Sequence, residues 1–123
     1  MPKDRCAGVA LVAEDEPVLR MDFARVLAGF GFEVSEVSSA DTALAYLETQ
    51  DIDFLFTDIE MPGSIDGVGL AEEVGRRWPH VSIVVCSGRE PVESDGIPQS
   101  VRFLAKPFST DAIDRIIHDL RIV

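Results

Sequence analysis

The sequence predicts an α/β fold: one doubly wound, five-stranded parallel sheet with helices on both faces. Two observations predict it. Short apolar runs alternate with segments of helical period five times over, the rhythm of parallel strands joined by crossover helices. The chain has 123 residues, about one domain's worth, so all five repeats belong to a single core.

The first run is Gly8-Val9-Ala10-Leu11-Val12-Ala13, apolar throughout, as a strand covered on both faces should be. A helix follows that opens near Pro17 and stops near Gly29 and Gly31, with Leu19, Phe23, Val26 and Leu27 on one face. Residues 32–37 alternate apolar with polar (Phe32, Glu33, Val34, Ser35) and so read as a half-exposed edge strand. Ala40, Ala43, Leu44 and Leu47 share a face of the second helix. Phe54-Leu55-Phe56-Thr57 and Val81-Ser82-Ile83-Val84-Val85 are two more buried strands, separated by a third helix through Leu70, Ala71, Val74 and Trp78 that Pro79 stops. A fifth strand runs from Val101 to Ala105. The last helix has the plainest pattern: Ser109 is a candidate N-cap, Phe108 can staple onto Ile113, and Ile113, Ile116, Ile117 and Leu120 stand at i, i+3, i+4 and i+7.

The helix due between the fourth and fifth strands is poorly encoded. Residues 89–100 contain Pro91, Gly96 and Pro98, and proline inside a helix costs about 3 kcal/mol, so this helix is expected to be short or mobile.

Composition excludes several functions. With 11 Lys and Arg against 22 Asp and Glu, the net charge of −11 repels polyanions, and direct nucleic-acid binding is not expected. No apolar run approaches the roughly 18 residues that span a bilayer, and Met1-Pro2-Lys3-Asp4-Arg5 has no apolar signal core behind it. A cytoplasmic location and no membrane association are expected. Cys6 and Cys86 fit no metal spacing and are read as free thiols.

In an open parallel sheet, ligands bind beyond the carboxyl ends of the strands where strand order reverses. Here the first strand ends in Glu14-Asp15, the third in Asp58, the fourth in Ser87-Gly88 and the fifth in Lys106-Pro107. In a sheet of order 2-1-3-4-5 the crevice lies between strands one and three, and Glu14, Asp15 and Asp58 converge there. Three carboxylates in one crevice repel one another unless a pKa rises or a cation binds; Mg²⁺ plus Lys106 would balance their charge. On spacing alone, Asp15 and Asp58 can equally be solvated loop caps.

Taken together, the acidic pair Glu14-Asp15, then Thr57-Asp58-Ile59-Glu60-Met61-Pro62 with Asp66-Gly67, then Cys86-Ser87-Gly88, then Lys106-Pro107-Phe108 resemble the receiver domains of bacterial response regulators. The resemblance runs from Val9 to Leu120, and four motifs in order at strand ends make it specific. It implies the flavodoxin-like order 2-1-3-4-5 and a single receiver domain over residues 1–123. It further implies a phosphoacceptor, Asp58, in a two-component phosphorelay, with Mg²⁺ (or Mn²⁺) as cofactor. Asp15 and Asp58 would ligate the ion directly, Glu60 through its main-chain carbonyl, and Glu14 through water. Ser87 and Lys106 would contact phosphoryl oxygens, with Pro107 as a cis-proline fixing the lysine. Ser87 and Phe103 would form the switch, although Phe103, lacking the tyrosine hydroxyl common in the family, can also be a fixed core residue. Glu60 and Arg89 occupy positions that influence acyl-phosphate lifetime, either as an ion pair or as solvated charges. Implied partners are a histidine kinase or histidine phosphotransfer protein and a downstream protein; the sequence does not specify an oligomeric state.

Two departures stand out. Glu14 replaces the more usual Asp, and one extra residue among Gly63, Ser64 and Ile65 should make the loop bulge. A chain ending at Ile122-Val123 suits a stand-alone receiver or one excised from a longer regulator. Other phosphoaspartate enzymes want a second Asp two residues after the nucleophile on strand one, where Glu14-Asp15-Glu16 stands, and nucleotide or flavin binders want a Gly- or hydroxyl-rich loop there.

Overall fold

A computed structural model describes residues 8–60, 65–87, 101–105 and 110–119. The chain alternates β1 (Gly8–Ala13), α1 (Pro17–Gly29), β2 (Phe32–Val37), α2 (Ala40–Thr49), β3 (Phe54–Asp58), α3 (Gly67–Arg77), β4 (Ser82–Ser87), β5 (Val101–Ala105) and α4 (Thr110–Asp119). The five strands form one parallel sheet of order β2-β1-β3-β4-β5, as the alternation requires. β2 lies at an edge, with Glu33 and Glu36 exposed and Phe32 and Val37 buried at its two ends. The expected helix of residues 89–100, the loop at Met61 to Ser64, Cys6, Lys106, Pro107, and the Phe108, Ser109 and Leu120 contributions to the last helix lie outside the described residues.

The period-two alternation of each strand divides the core in two. One face is aliphatic: Leu11, Ala13, Leu55, Ile83 and Val85 pack against Ala40, Ala43 and Leu47 of α2 and Leu70, Ala71 and Val74 of α3. The other is aromatic: Phe54 and Phe56 meet Phe32 of β2 and Phe23 of α1, with Ile113 and Ile117 of α4 completing the layer. Phe23 and Phe56 lie 4.8 Å apart and tilted by 56°, a geometry that adds about 1 kcal/mol to their burial. Helices cover both faces, so β3, in the middle, is buried along its whole length.

The strands run slightly past their apolar residues. β3 includes Asp58 and β4 continues to Ser87, because ladder hydrogen bonding does not stop where hydrophobicity does; Asp58 pairs in register with Cys86. Trp78, expected on the core or rim of the third helix, is its C-cap and packs half-buried against the aliphatic core, with the Arg77 guanidinium 4.3 Å above its ring. The Glu48 carboxylate, hydrogen-bonded to Arg77 at 2.9 Å, raises the guanidinium's pKa further and ties α2 to α3. His80 and His118 are exposed, as expected of surface residues.

Candidate functional site

Each acidic residue is placed by the backbone beneath it. Glu14 is the first residue beyond β1; its N–H donates to Val37 O at 3.1 Å, extending the β1–β2 ladder by one rung, and the residue is 1% exposed. Its Oε2 accepts the Glu16 N–H at 3.1 Å, which curls the chain into α1. Glu16 then serves as N-cap, its carboxylate accepting from Leu19 N at 3.0 Å and Val18 N at 3.4 Å. Pro17 suits the next position because a first-turn N–H has no partner within the helix. Asp15, between these two glutamates, is exposed.

Asp58 arrives from the other side of the crevice. It closes β3 at 9% exposure, and the ladder carries on past it, with Ile59 N–H donating to Cys86 O at 3.0 Å. Thr57 Oγ1 donates to the Asp58 carbonyl at 3.0 Å. The start of α3 presses on the same peptide: Gly67 N–H donates to Ile59 O at 2.7 Å, and a Cβ on Gly67 would stand 1.9 Å from Asp58 O. No side chain fits there. Asp66 caps this helix, accepting the Gly69 N–H at 2.9 Å.

The outcome is an open cleft of about 600 Å³ lined by Glu14, Asp15, Glu16, Leu19, Asp58, Ile59, Glu60 and Asp66. Glu14, Asp15 and Asp58 each direct a carboxylate oxygen into it, the three oxygens lying within 4.8 Å of one another. Oxygens bound to one hard cation at about 2.0 to 2.6 Å are themselves about 3 to 5 Å apart, so this donor set fits a single divalent ion. One buried and one nearly buried carboxylate facing an exposed third is costly without positive charge between them.

Of the residues singled out in the sequence, Glu14, Asp15 and Asp58 are brought together and the exposed Glu60 sits at the cleft's rim. Ser87 ends β4, paired in register with Ala105. Phe103, on β5, is half-buried against the aliphatic core. Lys106 and Pro107 fall outside the described residues. Sequence reasoning missed two contributors. The role of Gly67 was hidden, although an Asp before a helix-opening residue is an N-cap signal. Arg20, whose Nη1 donates to the Glu14 carbonyl at 3.0 Å, left no signal at all.

Comparison with known proteins agrees with this geometry. The response regulator receiver domain model matches residues 10–118, and the chain belongs to that family. The transcriptional regulatory protein PdtaR of Mycobacterium tuberculosis is 35% identical over 102 residues, which are 80% of this chain and 49% of that protein. The chain thus spans about half the length of this relative. Among solved structures, a response regulator receiver protein from Sinorhizobium medicae superposes with a TM-score of 0.82 at 33% identity, covering 91% of this chain and 92% of that one. The response regulator TrrA of Thermotoga maritima, solved in complex with Mg²⁺-BeF, gives 0.79 at 25% identity, covering 90% and 96%. The protein is a receiver domain of the two-component type, built round an acidic cluster able to hold a metal ion. Among the described residues no helix is long and apolar enough to cross a membrane.

Proposed function

We propose that the domain accepts a phosphoryl group on Asp58 from a phosphohistidine of a histidine kinase or histidine phosphotransfer protein, with Mg²⁺ (or Mn²⁺) in the acidic cluster. The convergence of Glu14, Asp15 and Asp58 within 4.8 Å carries this reading. Asp15 and Asp58 would hold the ion directly, with the Glu60 carbonyl and, through water, Glu14. Bound there, the ion supplies the positive charge that offsets both the carboxylates and the incoming phosphoryl oxygens. An Asp58 oxygen forms the new bond to phosphorus as the bond to the histidine nitrogen breaks, and the imidazole leaves with the electron pair. Lys106 and Ser87 contact phosphoryl oxygens, and Pro107 sets the approach of the lysine. The domain performs only its own phosphorylation and dephosphorylation and is not otherwise an enzyme.

In this reading the acyl phosphate alters Ser87 and Phe103, and a downstream protein binds the altered face. A cytoplasmic location belongs to this reading, since the kinase or phosphotransfer partner would present its phosphohistidine there. A receiver within a longer regulator is a second reading, favoured by the length of PdtaR, and it keeps the same chemistry at Asp58.

The test is intact mass after incubation with acetyl phosphate and Mg²⁺. One phosphoryl group is expected on the wild type, and none on Asp58→Asn or in EDTA. Equal labelling of Asp58→Asn would refute the assignment.

A further inference from the structure

We propose that Arg20 is a positioning residue for the cation site, locking the Glu14–Asp15 peptide from the side of the edge strand. The inference rests on the metal-assisted reading above. Arg20 stands on the first turn of α1, its own N–H bonded to Glu16 O at 2.9 Å. From there the planar guanidinium does two things at once: Nη1 donates to Glu14 O at 3.0 Å, and Nε pairs with Glu36 Oε1 at 3.4 Å. Glu36 adjoins Val37, whose carbonyl takes the Glu14 N–H at 3.1 Å. The N–H and the C=O of Glu14 are therefore both held from β2, one by the ladder and one through Arg20. A buried residue is gripped at both ends, and the Glu14 carbonyl shares its peptide plane with the nitrogen of Asp15. The two carboxylates that would face the ion are thus aimed by contacts that never touch it.

The guanidinium makes these two contacts from separate nitrogens held in one rigid plane. Lysine keeps the charge but gathers its donors on a single mobile nitrogen, so it holds Glu14 O and Glu36 less firmly. Arg20 also brings a positive charge close to a site meant for a cation, and charge alone would weaken binding. The two effects have opposite signs. If positioning dominates, removing Arg20 loosens the site; if charge repulsion dominates, removing it tightens the site.

Free Mn²⁺ measured by electron paramagnetic resonance during titration of the protein, with Mg²⁺ as competitor, reads the affinity without any phosphorylation. Thermal unfolding in EDTA reads stability separately. Arg20→Met is expected to raise the Mn²⁺ Kd about 10-fold, the scale seen when the partner of a metal ligand is lost. Arg20→Lys should weaken binding in the same direction despite its charge. Glu36→Gln, at a side chain 40% exposed and safe for folding, should weaken it by less, and this variant decides the matter if Arg20→Met fails to fold. Unchanged or tighter binding in folded Arg20→Met, or a lower unfolding temperature with unchanged Kd in all three variants, overturns the proposal. Absence of Mn²⁺ binding by the wild type overturns the metal-assisted reading itself, and this inference with it.

Discussion

Two aspartates bracket β3, and they meet opposite surroundings. Asp53, just before the strand, is exposed, yet its Oδ2 accepts the Val9 N–H at 2.8 Å while its own N–H donates to Val9 O at 2.8 Å. Gly8, at φ +128°, leaves room for that carboxylate, since a Cβ there would lie 2.7 Å from Asp53 Oδ2. Asp58, five residues on, faces Glu14 and Asp15 instead. One carboxylate accepts a backbone N–H and fastens the start of the sheet; the other joins two more carboxylates at the cleft. The same side chain meets a backbone donor at one end of the strand and an acidic cleft at the other.

Substitutions can sharpen or break this contrast. The largest effect is expected at Asp58→Asn, which should abolish phosphoryl uptake entirely. Gly67→Ala should come next, costing about 1 to 3 kcal/mol by overpacking and slowing phosphorylation as the Asp58 peptide is displaced, whereas Gly29→Ala, with nothing within 4 Å, should leave both unharmed. Denaturant unfolding and mass spectrometry separate these outcomes. Asp53→Ala should lower stability by about 1 kcal/mol and leave the final extent of labelling unchanged; loss of labelling at full stability would erase the distinction between the two aspartates. The smallest effect has the opposite sign. In EDTA, Asp58→Asn should be more stable than the wild type by up to about 1 kcal/mol, since it removes one of three crowded charges. Mg²⁺ should reverse the order, stabilising the wild type by about 2.7 kcal/mol at a hundred times its Kd.

Much of this architecture could be read from the residues alone. Strand positions followed from apolar runs, the sheet order from the resemblance, and the meeting of Glu14, Asp15 and Asp58 from the rule for crevices in parallel sheets. Strand ends were less legible: Asp58 and Ser87 belong to their strands through hydrogen bonds that carry no compositional mark. Glu16 as an N-cap went unseen because glutamate is not among the favoured capping residues. Arg20 and Gly67 were opaque for a common reason. Each acts on the backbone of a site residue, and a sequence shows which side chains are present but not which carbonyls they reach.

The close seat of α3 on β3 bears on how freely this chain can vary. At position 67 the space beyond Cα is already taken by the Asp58 carbonyl, so every other amino acid collides with the same atom. Tolerance there is set by steric room rather than by polarity or helix preference. In a library randomised at this codon and selected for phosphoryl uptake, glycine alone should survive, and relaxed selection should readmit alanine before any larger residue.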